Sequence, residues 1–258
     1  MSIDASKTVG AIAAEVPNST REFEKLGIDY CCGGARTLHE ACAEVRIPLD
    51  QALARLQQGL AASVPSPARQ WKTEPLADLI AYIEDTHHVF VREQCPRIQA
   101  LAERVVSKHG RSHPELPQVQ KLFSDLSDEL ATHLMKEEQV LFPYVVRLEQ
   151  AAAAGEPVPR ALFGTVLNPV RMMMQEHDGA GDVLKKLRAV TENYAAPEDA
   201  CVSYRTLYQA LGAFEADLHQ HIHLENNVLF PRAVVMEAAK QDERVLARES
   251  ALSRPPGQ

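Results

Sequence analysis

Two stretches of this chain carry a histidine and a glutamate four residues apart, His133-Leu-Met-Lys-Glu137 and His221-Ile-His-Leu-Glu225. Both run on into Val-Leu-Phe-Pro, at 140–143 and 228–231. On a helix, positions i and i+4 share a face, so each stretch aims one imidazole and one carboxylate at the same spot. Both pairs fall inside apolar stripes, where an uncompensated carboxylate is costly to bury. A pair of cations removes that cost. Imidazole and carboxylate together suit iron, manganese or zinc, and helix-borne carboxylates and histidines are the donors of two-metal centres in four-helix bundles. Two glutamates suffice to bridge two ions, and histidines would fill the terminal positions.

Further histidines compete for those positions. His177 lies on the apolar face of its own segment, beside Val170, Met173 and Leu184. His87 and His88 stand together; helical periodicity favours His87 and puts His88 at the edge of the stripe. His109, just before Gly110, reads either as a complement to a helix C-terminus or as a ligand. His113 reads as loop surface, His219 and His223 as solvated positions off the stripe, and Met172–Met174 as core. Glu129, Glu138, Glu176 and Asp178 flank the histidines, either as a charged helix face or as supports that orient metal-bound imidazoles.

A second chemistry sits near the N-terminus, in Asp29-Tyr-Cys-Cys-Gly-Gly34. Adjacent Cys31 and Cys32 do not easily close a relaxed disulfide on each other. The glycines let the chain turn sharply and expose both sulfurs, as soft-metal binding or thiol exchange requires. Cys42, Cys95 and Cys201 read as packing residues.

These groups need helices to hold them. Leu76, Leu79, Ile80, Ile83, Val91 and Ile98 share one face of a helix expected from Pro75 to about Lys108, with Pro96 as a bend. A second helix is expected from about Pro117 to Glu149, followed by a loop over Ala151–Pro159. The third is expected from about Arg160 to Tyr194, with a break near Asn168-Pro169, and the fourth from about Pro197 to Ala239. Nothing reads as a sheet, so the expected fold is all-α: a small N-terminal helical domain followed by a four-helix bundle. Within residues 1–62, Thr8, Asn18 or Ser19, and Thr37 are expected helix caps, and Pro48 opens a fourth short helix. Residues 63–74 read as a linker, 75–240 as the bundle, and 241–258 as a loose polar tail. The two repeated motifs suggest that the second and fourth bundle helices descend from one duplicated pair.

Composition narrows the function. A net charge of −8 with no basic stripe argues against nucleic acid as a partner. No apolar run approaches a membrane span, no export signal is evident, and five scattered cysteines do not make a disulfide framework. A reducing cytoplasm is the expected compartment.

Taken together, the Cys-Cys-Gly-Gly segment, the HxxxEE-x-x-LFP stretch, Glu176-His177-Asp178 and His221-Ile-His-Leu-Glu-Asn-Asn-Val-Leu-Phe-Pro231 resemble the RIC family, the "repair of iron centres" proteins with a hemerythrin-like bundle. The resemblance covers nearly the whole chain except the tail. It implies a non-haem di-iron centre with two irons per chain, bridged by Glu137 and Glu225. His133, His177 and His221 would be terminal ligands. The family's helix-one ligand stands four residues before an Arg-Glu pair, which selects His88, before Arg92-Glu93, against the periodicity. His109 matches a family histidine and would complete five. The resemblance gives Cys31 and Cys32 a catalytic or transfer role and ties their domain to iron handling and self-association, which puts a homodimer among the expected forms. The function so implied is repair of iron–sulfur clusters damaged by nitric oxide or oxidants, through iron donation or nitric oxide chemistry. Damaged iron–sulfur proteins, small ligands such as nitric oxide or oxygen, and an electron donor are the expected partners, since no flavin or nicotinamide motif is evident. The alternative is a hemerythrin-like oxygen or nitric oxide sensor or carrier.

Overall fold

The computed structural model describes residues 3–16, 18–61 and 70–240. The expected linker is therefore described only from residue 70 onward, and the expected tail 241–258 lies outside the described residues.

Four short helices come first: α1 (Val9–Glu15), α2 (Ser19–Leu26), α3 (Leu38–Glu44) and α4 (Leu49–Ala61). Thr8 caps α1 by accepting from the Ala11 N–H. Thr37 caps α3 in a reciprocal box with Glu40, which satisfies two otherwise unpaired N–H groups. Asn18 precedes α2 but its side chain caps nothing, and the hydroxyl of Ser19 instead donates back to the Val16 carbonyl. Val9, Ile12, Phe23, Leu38 and Leu56 bury their side chains in a core of their own.

The bundle follows. Its first helix is α5 (Leu76–Tyr82), a π-helical turn (Ile83–His88) and α6 (Val89–His109). The second is α7 (Leu116–Lys136), a π turn (Glu137–Leu141) and α8 (Phe142–Ala154). The third is α9 (Leu167–Val190). The fourth is α10 (Val202–Leu224), a π turn (Glu225–Leu229) and a helical continuation over 230–240. α6 packs on α7 and α10, and α7 also packs on α9. Two apolar clusters fill the interior. One is built around Ile98, Phe123, Leu184 and Phe214, the other around Leu79, Tyr144, Val166 and Leu229.

Several expected boundaries move, among them the start of the fourth helix, at Val202 rather than Pro197, and the end of the third, at Val190 rather than Tyr194. α8 continues to Ala154 before Gly155 ends it in the left-handed conformation (φ 70°). The third helix begins at Leu167 rather than Arg160. Gly164 turns the chain at φ 83°, and the buried Glu237 carboxylate accepts the Val166 N–H at 3.0 Å, fixing the start. Pro169 then falls in the first turn, where its missing N–H is tolerated, so it opens the helix and does not break it. Of Met172–Met174, only Met173 is core, while Met172 and Met174 are exposed. Pro96 lies inside a continuous α6. Among the described residues, no helix is long and apolar enough to cross a membrane.

Candidate metal centre

Each of the three π turns begins or ends at a predicted ligand: His88 closes the first, Glu137 opens the second and Glu225 opens the third. A π turn adds a residue to the local repeat and re-aims the side chains around it. This explains why His88 points to the bundle axis although a 3.6-residue period favours His87. The structure gathers two groups of four buried donors: His88, His221, Glu137 and Glu225, and His133, His177, Glu137 and Glu225. The two glutamates are common to both, which is the arrangement of bridging carboxylates.

The geometry is symmetric. His88 Nε2 lies 3.2 Å from His221 Nε2, and His177 Nε2 lies 3.1 Å from His133 Nε2. Glu137 turns one oxygen toward each pair, at 3.5 Å from His88 and 3.4 Å from His133. Glu225 does the same, at 3.2 Å from His221 and 3.1 Å from His177. Both carboxylates are completely buried, yet none of their four oxygens has a hydrogen-bond partner. Orphaned buried carboxylates are rare in native proteins and need a compensating group. Four inward imidazole nitrogens and four carboxylate oxygens fit a pair of cations. These residues could therefore hold a pair of metal ions.

Outer partners fix three of the four rings. His88 Nδ1 is 2.7 Å from Glu138, which is held in turn by Arg92. His133 Nδ1 is 2.9 Å from Glu176, which pairs with Lys136. His177 Nδ1 is 2.8 Å from the Asn226 amide oxygen. A proton on Nδ1 leaves the Nε2 lone pair facing inward, the tautomer that ligation requires. His221 differs: its Nδ1 is unpartnered, and its ring stacks flat on His87 at 5.7 Å. His87 itself is buried and turned to Asp217, with Nδ1 at 3.0 Å from the carboxylate.

Electrostatics agree with this assignment. Burial, helped by the neighbouring imidazoles, pushes His88 and His133 down to about 4, so both are neutral lone-pair donors near pH 7. Burial and the facing Glu225 carboxylate drive Glu137 well above the usual carboxylate range. Burial works to raise Glu225 too, but His221 and His177 outweigh it and hold that carboxyl well below the usual range.

Three sequence expectations fail here, each for a physical reason. His109 is not brought to the centre. It ends the 21-residue α6, about 30 Å along the axis from His88 at about 1.5 Å per residue. There its Nε2 faces the Cys201 thiol at 3.2 Å. His219 and His223 are not solvated, because the N-terminal helices cover that face. His219 pairs with Glu24 at 2.7 Å, and His223 is buried against the Tyr30 ring. His113 is only partly exposed, lying 3.1 Å from Asp199. Sequence reasoning also missed Asp217, Asn226 and Asn227. The unusual Asn-Asn after the second HxxxE glutamate was the available signal.

Asn227 is where the cysteine segment is fastened. Its amide donates to the carbonyls of Tyr30 and Cys31, both at 3.2 Å. Gly10 and Gly34 close around it so tightly that a Cβ at either would overlap the amide. Cys31 is buried and Cys32 half-buried, and both are free thiols. Cys32 Sγ donates to the carbonyl oxygen of His177 at 3.6 Å. On another side, a cleft of about 640 Å³ lined by Glu129, His133, Lys136, Glu176, His177 and His221 reaches the ligands from outside.

The helix-one position is testable directly. We expect His88→Phe to bleach the centre and to halve the metal content or worse. His87→Phe should leave the metal bound, because His87 touches the centre only through the His221 ring. The reverse pattern, read by metal analysis and visible absorption, would return the ligand role to His87.

Comparison with known proteins gives a consistent picture. A family model described as "Hemerythrin HHE cation binding domain" matches residues 79–233, and ScdA_N, "Domain of Unknown function (DUF542)", matches residues 5–59. The chain is similar to "Iron-sulfur cluster repair protein YtfE" of Pectobacterium carotovorum subsp. carotovorum, with 37% identity over 228 residues, covering 88% of this chain and 96% of the relative. The protein of the same name from Musicola paradisiaca is 37% identical over 232 residues, covering 90% and 98%. That from Yersinia pseudotuberculosis is 35% identical over 230 residues, covering 89% and 97%.

Proposed function

This chain belongs to the YtfE family of iron–sulfur cluster repair proteins, and from that premise we propose that it is a cytoplasmic di-iron protein that restores iron–sulfur clusters damaged by nitric oxide or oxidants. The observation that carries the reading is the pair of donor groups sharing Glu137 and Glu225. His88 and His221 would hold one iron, His133 and His177 the other, and the two glutamates would bridge them. The mixture of imidazole and carboxylate suits iron, and Glu138, Glu176 and Asn226 orient the rings. When bound, the iron pair would supply redox chemistry and a coordination position for a small ligand such as nitric oxide, or would itself be the cargo delivered to a damaged cluster. The partners of this reading are damaged iron–sulfur proteins and an electron donor.

The chain's own residues prepare both routes. Burial keeps the His88 and His133 imidazoles neutral and encloses both carboxylates. Glu129 and Glu176 line the cleft that leads outward, and their charge suits the passage of a cation. Cys31 and Cys32, fastened by Asn227 beside the His177 backbone, are placed to assist transfer.

Protein purified without air should contain about two irons per chain and should speed the recovery of a nitric-oxide-damaged iron–sulfur enzyme. Absence of iron, or a single zinc, would sink the di-iron reading. Cys31→Ala combined with Cys32→Ala should keep both irons but impair recovery. Full recovery with that variant would reduce the pair to a structural loop. Nitric oxide or oxygen binding with no recovery in the parent protein would favour the sensor or carrier alternative.

A further inference from the structure

A third group of metal donors lies outside the bundle centre: Asp29, Cys31 and Cys32, whose ligand atoms fall within 4.8 Å of one another. It shares no residue with the two histidine–glutamate groups. From this geometry we infer a separate site in the cysteine loop for one borderline-soft divalent cation of the iron(II) or zinc(II) class, held by both thiolates and the Asp29 carboxylate.

The spacing is the first argument. Cys31 Sγ and Cys32 Sγ stand 3.9 Å apart. That is far beyond the roughly 2.05 Å of a disulfide. It is close to the edge of a tetrahedron with metal–sulfur bonds of about 2.3 Å, which is about 3.8 Å. Two adjacent residues seldom point both side chains to one side. Here the local backbone makes them do so, because Asp29 Oδ1 accepts the N–H groups of Cys32 and Gly33, each at 3.0 Å, and curls the loop.

The third donor is the same carboxylate. Asp29 Oδ1 lies 3.4 Å from Cys31 Sγ. Burial works to raise its pKa, yet the Gly33 N–H and the Cys31 thiol hold the carboxyl below its ordinary value, so it is an anion at neutral pH. Its other oxygen pairs with Arg36 at 3.6 Å, a long contact that a bound cation would have to displace or share. Two thiolates and one carboxylate match a cation of intermediate softness and leave a fourth position for water or an incoming donor. Binding displaces one proton from each thiol to solvent and changes no oxidation state. Before binding, the hydrogen bond with Cys32, then burial, keep the Cys31 thiol protonated, which makes the loop cheap to bury without its ion.

The loop is also built to hold its position. Asn227 fixes the Tyr30 and Cys31 carbonyls, and Cys32 Sγ sits 3.6 Å from the His177 carbonyl oxygen. The cysteine site therefore lies one residue's backbone away from a ligand of the bundle centre. Its use as a resting place for iron entering or leaving that centre rests on the repair reading; the site itself does not.

Cobalt(II) is the probe. Full-length reduced protein carrying its bundle metals is titrated with cobalt without air. The expected result is one cobalt per chain beyond the metals already held, with thiolate-to-cobalt charge-transfer absorption in the near ultraviolet. Cys31→Ser with Cys32→Ser should abolish that absorption and the extra cobalt while the bundle metals stay. Asp29→Asn keeps an oxygen to accept the Cys32 and Gly33 N–H groups, so the loop persists. It should keep the absorption but weaken binding by at least roughly tenfold, the loss that even a supporting partner of a ligand produces. No extra cobalt in the parent protein, undiminished uptake in the cysteine variant, or uptake only in exchange for bundle metal would overturn the site. The thiolate absorption reports the cysteine loop whether or not the bundle holds iron, so this inference and the di-iron reading fail separately.

Discussion

Replacing either Glu137 or Glu225 with alanine is expected to strip both cations from the bundle, not one. Each carboxylate offers one oxygen to the His88–His221 pair and the other to the His133–His177 pair. Removing it therefore takes a donor from both ions at once. It also leaves the remaining glutamate as the sole anion against two divalent charges. Losing a mere supporting partner costs a metal site roughly 10–100-fold in affinity. Losing a shared ligand should exceed roughly 100-fold at both positions. Metal content per chain should fall from about two to well under one, whereas His87→Phe or an exposed substitution such as Met172→Ala should leave it unchanged. Full occupancy in both alanine variants would mean that the bridges are elsewhere.

The second large effect concerns stability, and its sign depends on the metal. A ligand that binds only the native state at about a thousand times its dissociation constant contributes about 4 kcal/mol. In a domain of this size each kcal/mol moves the melting temperature by about 2–4 °C, so chelation should lower it by on the order of 10 °C. The metal-free protein then holds two buried carboxylates without hydrogen-bond partners, and burial beside Glu225 drives the Glu137 carboxyl well above the usual range. Glu137→Gln removes the charge problem while keeping the shape. It should stabilise the metal-free chain relative to its parent and destabilise the metal-loaded one. Calorimetry with and without chelator reads both signs in one experiment. A variant that moved both states the same way would show that the glutamate pair is not the source of the metal's stabilising effect.

Much of this centre was legible from residue spacing, and the parts that were not share one cause. The histidines of the two HxxxE pairs lie in α7 and α10 and each glutamate is the first residue after its helix, where i, i+4 geometry still applies, so His133, Glu137, His221 and Glu225 could be read directly. His177 sits in an uninterrupted helix and could be read the same way. His88 could not be read by counting, because the π turn Ile83–His88 departs from the 3.6-residue period. The family frame before Arg92-Glu93 carried that position instead. His109 failed because one-dimensional resemblance does not measure distance along an axis. His219 and His223 were misjudged because a helical stripe calculation treats every polar face as wet. The N-terminal helices had to be docked before Glu24 and Tyr30 could dry it out. The third helix began late because a distant residue, Glu237, supplied its starting acceptor.

One five-residue turn, Glu225–Leu229, joins three parts of the molecule. Its first side chain belongs to both donor groups, its second steadies the His177 ring, and its third grips the loop that carries the thiols. These are consecutive residues on one helical turn. The chain thus ties its two chemistries to one pivot. A displacement of this turn would bear on the carboxylate and on the thiol loop together, as one beam carries both arms of a balance.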